Sequence, residues 1–479
     1  MANNGVDASS SSSSVERVVV VGASLAGLRA AEELRAEGFT GSIVMIGDEP
    51  HEPYDRPPLS KTVLTGWLPA ENTTLPRIRD VAAEWLLGVA ATRLDRHHHE
   101  VHLADGRRVG FDRVLIATGT RARPWPDPVG AALDGVFTLR TREDASRLRA
   151  RLAALPDRVL VIGAGFTGSE VASVCRELGI TVTVAERSAA PLAGALGGAA
   201  GAAAARMQRR HGVDLRCNVT VMSLEGDSDG RLRRAALSDG DVLDVDVAVV
   251  ALGAVRNVEW LAGAGLAADA RGVVCDAACR AFDCDAVVLD DVFVAGDVAR
   301  WPHSLYNGEL LTVEHWGNAV EQARTAAHNM VCATTQRRAH KPLPSFWSNQ
   351  FGNNIKSVGL PPYADEVVVT QGSVADHKFV AAYGRQRRIV AAVAVNMPLW
   401  LDFYASQIEA RGPFPPDLNA PDGPEELVPV SAGFPRPGQA THSAGVALTG
   451  PGPSTPSAAV PATAPPQDPR VPPGPLPLH

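Results

Sequence analysis

A strand, a glycine turn, a helix and a second strand follow one another twice in this chain, and no other feature restricts its fold so sharply. Residues 17–21 are a valine run that stops at Gly22, followed by an amphipathic helix over about residues 26–37 and a strand at 42–46. Residues 158–162, Gly163, a helix to about Leu178 and a strand at 181–185 repeat the order. Two such units predict two Rossmann-like α/β folds in one chain.

The first turn reads Gly22, Ala23, Ser24, Leu25, Ala26, Gly27, and the second Gly163, Ala164, Gly165, Phe166, Thr167, Gly168. The leading glycine of each allows a tight turn, a small third residue lets a pyrophosphate approach the backbone, and the last glycine lets the helix pack close to the sheet. The helix N-terminus then offers free N–H groups and partial positive charge to phosphate. Ser24 in place of the middle glycine is a small departure. One such turn is weak support, but each here has a strand before it, a helix after it and an acid beyond the next strand. Those acids, Asp48 and Glu186, are placed to accept hydrogen bonds from ribose hydroxyls.

Composition excludes several other classes. Basic residues number 45 against 53 acidic ones, a net charge of -8, so no global basic field points to nucleic acid or to an anionic membrane. Residues 189–205 are the least charged stretch, yet they are alanine and glycine, which predicts a helix with a glycine-rich start and not a span. Residues 1–14 lack the basic start and apolar core of a secretory signal. Cys275, Cys279 and Cys284 lack the paired spacing of zinc sites and read as strand and loop residues, while His97, His98 and His99 read as a solvated turn. Six serines, Ser9 to Ser14, precede the first strand, and residues 433–479 hold thirteen of the 36 prolines. Such segments bury too little surface to offset their ordering entropy, so both tails are expected to be disordered.

Beyond the turns, the chain carries HEPYDRPPLSK at 51–61, LIATGTRARP at 115–124, DVFVAGDVAR at 291–300, EHWGNAVEQAR at 314–324 and FWSNQFG at 346–352. With the two glycine segments, at 18–35 and 159–172, these strings resemble the flavin-dependent ferredoxin reductases that serve bacterial oxygenases, within the glutathione-reductase-like fold. The resemblance covers residues 15–429. It implies an FAD-binding domain at 15–124 and 255–330, an NAD-binding domain at 125–254, and a smaller α+β C-terminal domain at 331–432.

Carried over position by position, the resemblance implies that Gly22, Ser24, Ala26 and Gly27 hold the FAD pyrophosphate and Asp48 its adenosine ribose. Ala91, Thr118, Gly119 and Arg140 lie along the cofactor, Asp297 bonds the ribityl chain, and Trp316 packs on the flavin. Lys61 lies beside the isoalloxazine and pairs with Glu170, which approaches the nicotinamide; these two are the catalytic candidates. Gly163, Gly165, Phe166, Thr167, Gly168, Glu186 and Gly253 form the NAD site. Read without the surrounding motifs, Lys61 and Glu170 are surface charges and Trp316 a core aromatic. Glu186 would repel the extra phosphate of NADPH and favour NADH, although Arg187 beside it leaves NADPH open.

The first cysteine is Cys175, so residues 1–174 supply no redox disulfide or sulfenic acid, and electrons must leave the flavin directly. The resemblance implies hydride transfer from NADH to FAD, then single electrons to a two-iron or other small ferredoxin, in a cytoplasmic monomer or homodimer. Arg324, Trp347 and Lys356 match the docking face for that partner, and equally fit plain surface residues. A flavoprotein resembling apoptosis-inducing factor, with a regulatory or partner-binding role, shares both folds, as does an NADH oxidase or rubredoxin reductase. The proline-rich tail also permits tethering through polyproline segments.

Overall fold

The valine run near the start of the chain is buried on both faces, as the centre of a parallel sheet requires. In the computed structural model, which describes residues 15–417, 423 and 427–434, it forms β1 (Arg17–Val21). Helix α1 (Leu25–Ala36) returns the chain to β2 (Ser42–Gly47), parallel to β1 with Val18 opposite Ile43. Arg113–Ile116 lies on the other side of β1, so the strand order reverses there and opens a crevice at the carboxyl ends of the strands. The sheet runs Arg280–Phe282, Val288–Val294, Arg113–Ile116, β1, β2, Glu84–Leu87, and only the first of these is antiparallel to its neighbour.

The second unit repeats the plan with β3 (Arg158–Ile162), α2 (Phe166–Glu177) and β4 (Thr181–Glu186). Its five strands, in the order Asp214–Cys217, β4, β3, Val247–Val250, Val136–Phe137, are parallel throughout. The chain crosses between the two sheets through a short antiparallel ladder, Thr120–Ala122 against Ala254–Arg256. The glycine-rich helix is α3 (Ala193–Arg210), broken at Gly197 with φ +76°. The break is forced from outside: a Cβ on Gly197 would lie 2.3 Å from the Ala432 carbonyl oxygen, which instead accepts the Gly198 N–H at 2.8 Å.

Helix α4 (Trp316–Val331) lies against α1, where Ala30, Ala31, Ala323, Ala326 and Ala327 share one core cluster and let the helices approach closely. The C-terminal module is antiparallel. Its order is β5 (Ser345–Gln350), β6 (Asn353–Gly359), Arg388–Val395, Lys378–Arg385, β7 (Glu366–Ser373), Val430–Ser431. Helix Leu401–Glu409 packs on it, with the buried Tyr404 hydroxyl donating to Thr370.

Gly433 and Phe434, which the sequence assigns to the tail, are instead placed on the fold. Phe434 finds an apolar seat beside Tyr383, ring centroids 6.5 Å apart, and an aromatic side chain with such a seat need not stay in solvent. The expected disorder of 1–14 and of the remaining tail lies outside the described residues. Among the described residues no helix is long and apolar enough to cross a membrane, and no group of His, Cys, Asp and Glu is arranged to hold a metal ion.

Candidate functional site

Gly22 and Gly163 adopt φ +117° and +99°, backbone that a side chain would strain. Gly27 and Gly168 are required for a different reason. A Cβ on Gly27 would lie 2.1 Å from the Gly22 carbonyl oxygen, and one on Gly168 would lie 1.9 Å from that of Gly163. Each helix therefore starts directly behind its turn. Neither N-cap residue, Ser24 or Gly165, spends a side chain on the first-turn N–H groups, which leaves both helix termini able to receive an anion.

The first turn opens on two neighbouring cavities of about 230 and about 350 Å³. The smaller is lined by Gly22, Ser24, Asp48, Thr118 and Arg140; the larger continues from Ser24, Ala26, Thr118, Gly119 and Arg140 to Lys61, Asp297 and Trp316. Together they present the Asp48 carboxylate in the smaller and the Lys61 ammonium in the larger, a donor set and a combined space that fit a dinucleotide such as FAD. Helix α2 reaches the larger cavity with Phe166, Thr167 and Glu170. The remaining residues of the second cradle, Gly163, Gly165, Gly168, Glu186 and Gly253, lie outside these two cavities, as do Gly27 and Ala91, the latter at the start of strand Ala91–Asp95.

Where the two units meet, Lys61 Nζ and Glu170 Oε2 are 2.7 Å apart, with Glu170 almost fully buried. Glu170 Oε2 also accepts the Ser60 hydroxyl at 2.5 Å, and Oε1 accepts the Ser348 hydroxyl at 2.6 Å. The Glu170 carboxylate is thus held by polar partners from three directions, so both of its buried oxygens are satisfied. Arg140 donates to Asp297 and to the Thr120 carbonyl, each at 3.0 Å, tying the far strand end to the cavity wall.

Several cavity residues escaped the sequence reading. Asp55 accepts the Trp316 indole N–H at 2.9 Å, and burial raises its carboxyl above the usual range. Arg256 and Glu314 form a buried ion pair at 2.6 Å, and desolvation likewise pushes Glu314 up. Burial holds His315 down at about 4, so it faces the cavity as neutral imidazole, and its buried Nδ1 has no partner among the described residues. Asp55, Glu314 and His315 lie inside the PYDRPPLSK and EHWGNA strings, whose density of charged and aromatic residues is the signal that could have flagged them, whereas Arg256, at the end of the strand Ala254–Arg256, lies in neither.

Glu186, at the end of β4, accepts the Ala164 N–H in the second turn and the Ser188 N–H, both at 2.7 Å. It therefore stiffens the cradle besides presenting charge beside it. On the far side of the cavity, Trp347 lines the wall while remaining 42% exposed, and it meets Trp316 edge-on with centroids 6.2 Å apart. Lys356 stands directly across the β5–β6 ladder from Trp347. Arg324 is paired with Glu321 at 2.8 Å on α4.

Two dinucleotide cradles converging on a buried lysine–glutamate pair define an oxidoreductase that works between two dinucleotides. The chain belongs to the pyridine nucleotide-disulphide oxidoreductase family, whose model matches residues 16–323, and a reductase C-terminal domain matches residues 345–424. It is 36% identical over 384 residues to rhodocoxin reductase of Rhodococcus erythropolis, covering 80% of this chain and 86% of that protein. It is 34% identical over 409 residues to putidaredoxin reductase of Pseudomonas putida, covering 84% and 94%. The crystal structure of the covalent putidaredoxin reductase–putidaredoxin complex superimposes with a TM-score of 0.77 at 32% identity, covering 84% of this chain and 94% of that one. Despite the family's name, all six thiols here are free, and burial raises Cys175, on α2, to about 12.

Proposed function

We propose that this chain is an FAD-dependent reductase that takes hydride from NADH and passes single electrons to a small ferredoxin serving an oxygenase. The observation that carries the reading is the Lys61–Glu170 pair, set where the first cradle's cavity meets the N-terminal turns of α2. Bound FAD supplies the conversion between a two-electron donor and a one-electron acceptor. The turn from Gly22 to Gly27 and the start of α1 receive its pyrophosphate, Asp48 its ribose, and Arg140 with Asp297 orient the chain that joins pyrophosphate to ring. Lys61 offers fixed positive charge at the ring end, tempered by Glu170, and His315 offers a neutral imidazole there.

The second cradle, from Gly163 to Gly168, receives NADH, with Glu186 disfavouring a 2′-phosphate by charge. No cysteine lines either cavity: the chain has none before Cys175, and that thiol is buried in the core. The route out is therefore direct, past Trp316 and Trp347 to an acidic partner steered by Lys356, the charge of Arg324 being largely offset by Glu321. That relatives are named for rhodocoxin and putidaredoxin supports such a partner. Six free thiols fit a reducing, cytoplasmic compartment.

Stopped-flow reduction of the FAD-loaded protein with NADH and with NADPH, followed by titration with oxidised ferredoxins, tests the reading. Rapid bleaching by NADH and fast ferredoxin reduction are expected. A long-lived reduced flavin–nicotinamide complex that gives no electrons to any ferredoxin would overturn it in favour of a partner-binding role.

A further inference from the structure

We propose that Ser348, on the C-terminal module, is a positioning residue for hydride transfer: it completes the Lys61–Glu170 pair from outside both dinucleotide folds. The proposal rests on the reading of that pair given above. Helix α2 lies along strand β5 and the turn residue that follows it, through three contacts. Phe166 meets Phe346 with ring centroids 4.6 Å apart, Glu170 accepts the Ser348 hydroxyl at 2.6 Å, and the Ser173 hydroxyl oxygen accepts the Phe351 N–H at 2.7 Å.

On α2 those positions are spaced i, i+4, i+7 and so share one helix face. On β5, Phe346, Ser348 and Gln350 share the inward face by alternation, while Trp347 and Asn349 point the other way. Ser348 is 1% exposed. Gln350 Nε2 donates to the Ser348 oxygen at 3.2 Å, which leaves the hydroxyl proton for Glu170.

The two carboxylate oxygens are therefore held differently. Oε2 takes Lys61 and Ser60, both from the segment beside the first cradle, whereas Oε1 takes Ser348. Without Ser348 the carboxylate keeps its charge partner but can swing about its last torsion, and its buried Oε1 loses its donor. A carboxylate misaimed by a fraction of an ångström slows a positioned reaction without emptying the binding site. Because the same strand carries Trp347 on its outer face, the wall that meets the electron acceptor is also the wall that aims Glu170.

The test compares Ser348→Ala, Glu170→Gln and the double variant, each loaded with FAD. For Ser348→Ala the limiting rate of flavin reduction is expected to fall about tenfold while the NADH dissociation constant stays within about twofold. Its flavin midpoint potential should shift positive, since a loosened carboxylate neutralises Lys61 less. The double variant should be no slower than Glu170→Gln alone, because Ser348 acts only through Glu170. Ser348→Cys, close in size and a weaker donor, is expected to fall between serine and alanine, and it serves if the alanine variant fails to load FAD. Wild-type reduction rates in both Ser348 variants, or effects that multiply in the double variant, overturn the role of Ser348 while leaving that of Glu170. A wild-type rate in Glu170→Gln removes both.

Discussion

Trp316 and Asp55, both lining the larger cavity, are joined by an indole N–H donated to a half-buried carboxylate at 2.9 Å. Trp316 opens α4 and Asp55 lies in the PYDRPPLSK segment, so this one bond ties the helix that follows the EHW string to the loop carrying Lys61. Burial works against the Asp55 charge, and the indole donor and Lys61 work for it.

Trp316→Phe keeps an apolar aromatic ring but removes the donor together with part of the ring volume, so only the comparison of two backgrounds isolates the hydrogen bond. The expected cost of losing the bond is about 1 kcal/mol by urea denaturation of the FAD-loaded protein, below the ~1.5–3 kcal/mol usual for a bond to a charged group because the site is partly hydrated. In an Asp55→Asn background the same change should cost clearly less. Equal costs in both backgrounds would mean that the indole contributes packing and no hydrogen bond.

Arg256 and Glu314 make a sharper electrostatic case, since each side chain is only 13% exposed. Arg256→Ala strands a buried carboxylate and is expected to cost about 3 kcal/mol or more near pH 8. Glu314 is raised in the folded state, first by desolvation, with Arg256 pulling the other way. Between the ordinary carboxylate pKa and the raised one, the native chain holds more protons than the unfolded chain, so stability falls as pH climbs through that window. Removing Arg256 raises Glu314 further and widens the window. The deficit of Arg256→Ala should therefore grow from pH 5 to pH 8, and adding Glu314→Gln should flatten it. A deficit independent of pH in the single variant would assign the loss to packing.

Much of this architecture is legible in the sequence because the signals are local. Gly22, Gly27, Gly163 and Gly168 announce both cradles within six residues each, and the strand and helix patterns around them have one consistent reading. The C-terminal sheet is less legible: its strands at Lys378–Arg385 and Arg388–Val395 are near-continuous apolar runs, buried on both faces, and carry no period to read. Lys61 and Glu170 could be named from motifs, but Ser60 and Ser348 could not. A serine has no sequence signature for accepting or donating across a domain boundary, and the bond exists only once β5 lies along α2. Composition alone does not reveal the seat that Phe434 finds beside Tyr383, so a tail read from proline and glycine content takes in two residues that pack on the fold.

Glu186→Ala should reduce the preference for NADH over NADPH, measured as the ratio of kcat/KM values, by about tenfold. Both carboxylate oxygens also accept backbone N–H groups, of Ala164 and Ser188. The substitution is therefore expected to weaken binding of both nucleotides by loosening the turn, and only the ratio isolates the charge. A ratio equal to that of the wild type would remove Glu186 as the discriminating group and turn attention to Arg187.

Lys356 and Arg324 separate what docking needs from what the surface merely displays. Lys356 faces the same side of the β5–β6 hairpin as Trp347, the exposed aromatic that also lines the cavity. Arg324 already lies 2.8 Å from Glu321, so the two together are close to a neutral dipole. Lys356→Gln is expected to raise the KM for an acidic ferredoxin about fivefold at low ionic strength, with the difference shrinking as salt screens it. Removing the other pair whole, as Arg324→Gln with Glu321→Gln, should leave that KM within about twofold of wild type. Neither change should alter the rate at which NADH reduces the flavin, since both lie outside the two cavities. If Lys356→Gln leaves the ferredoxin KM untouched at low salt while the Arg324/Glu321 variant raises it, the partner docks along α4 and not across the hairpin.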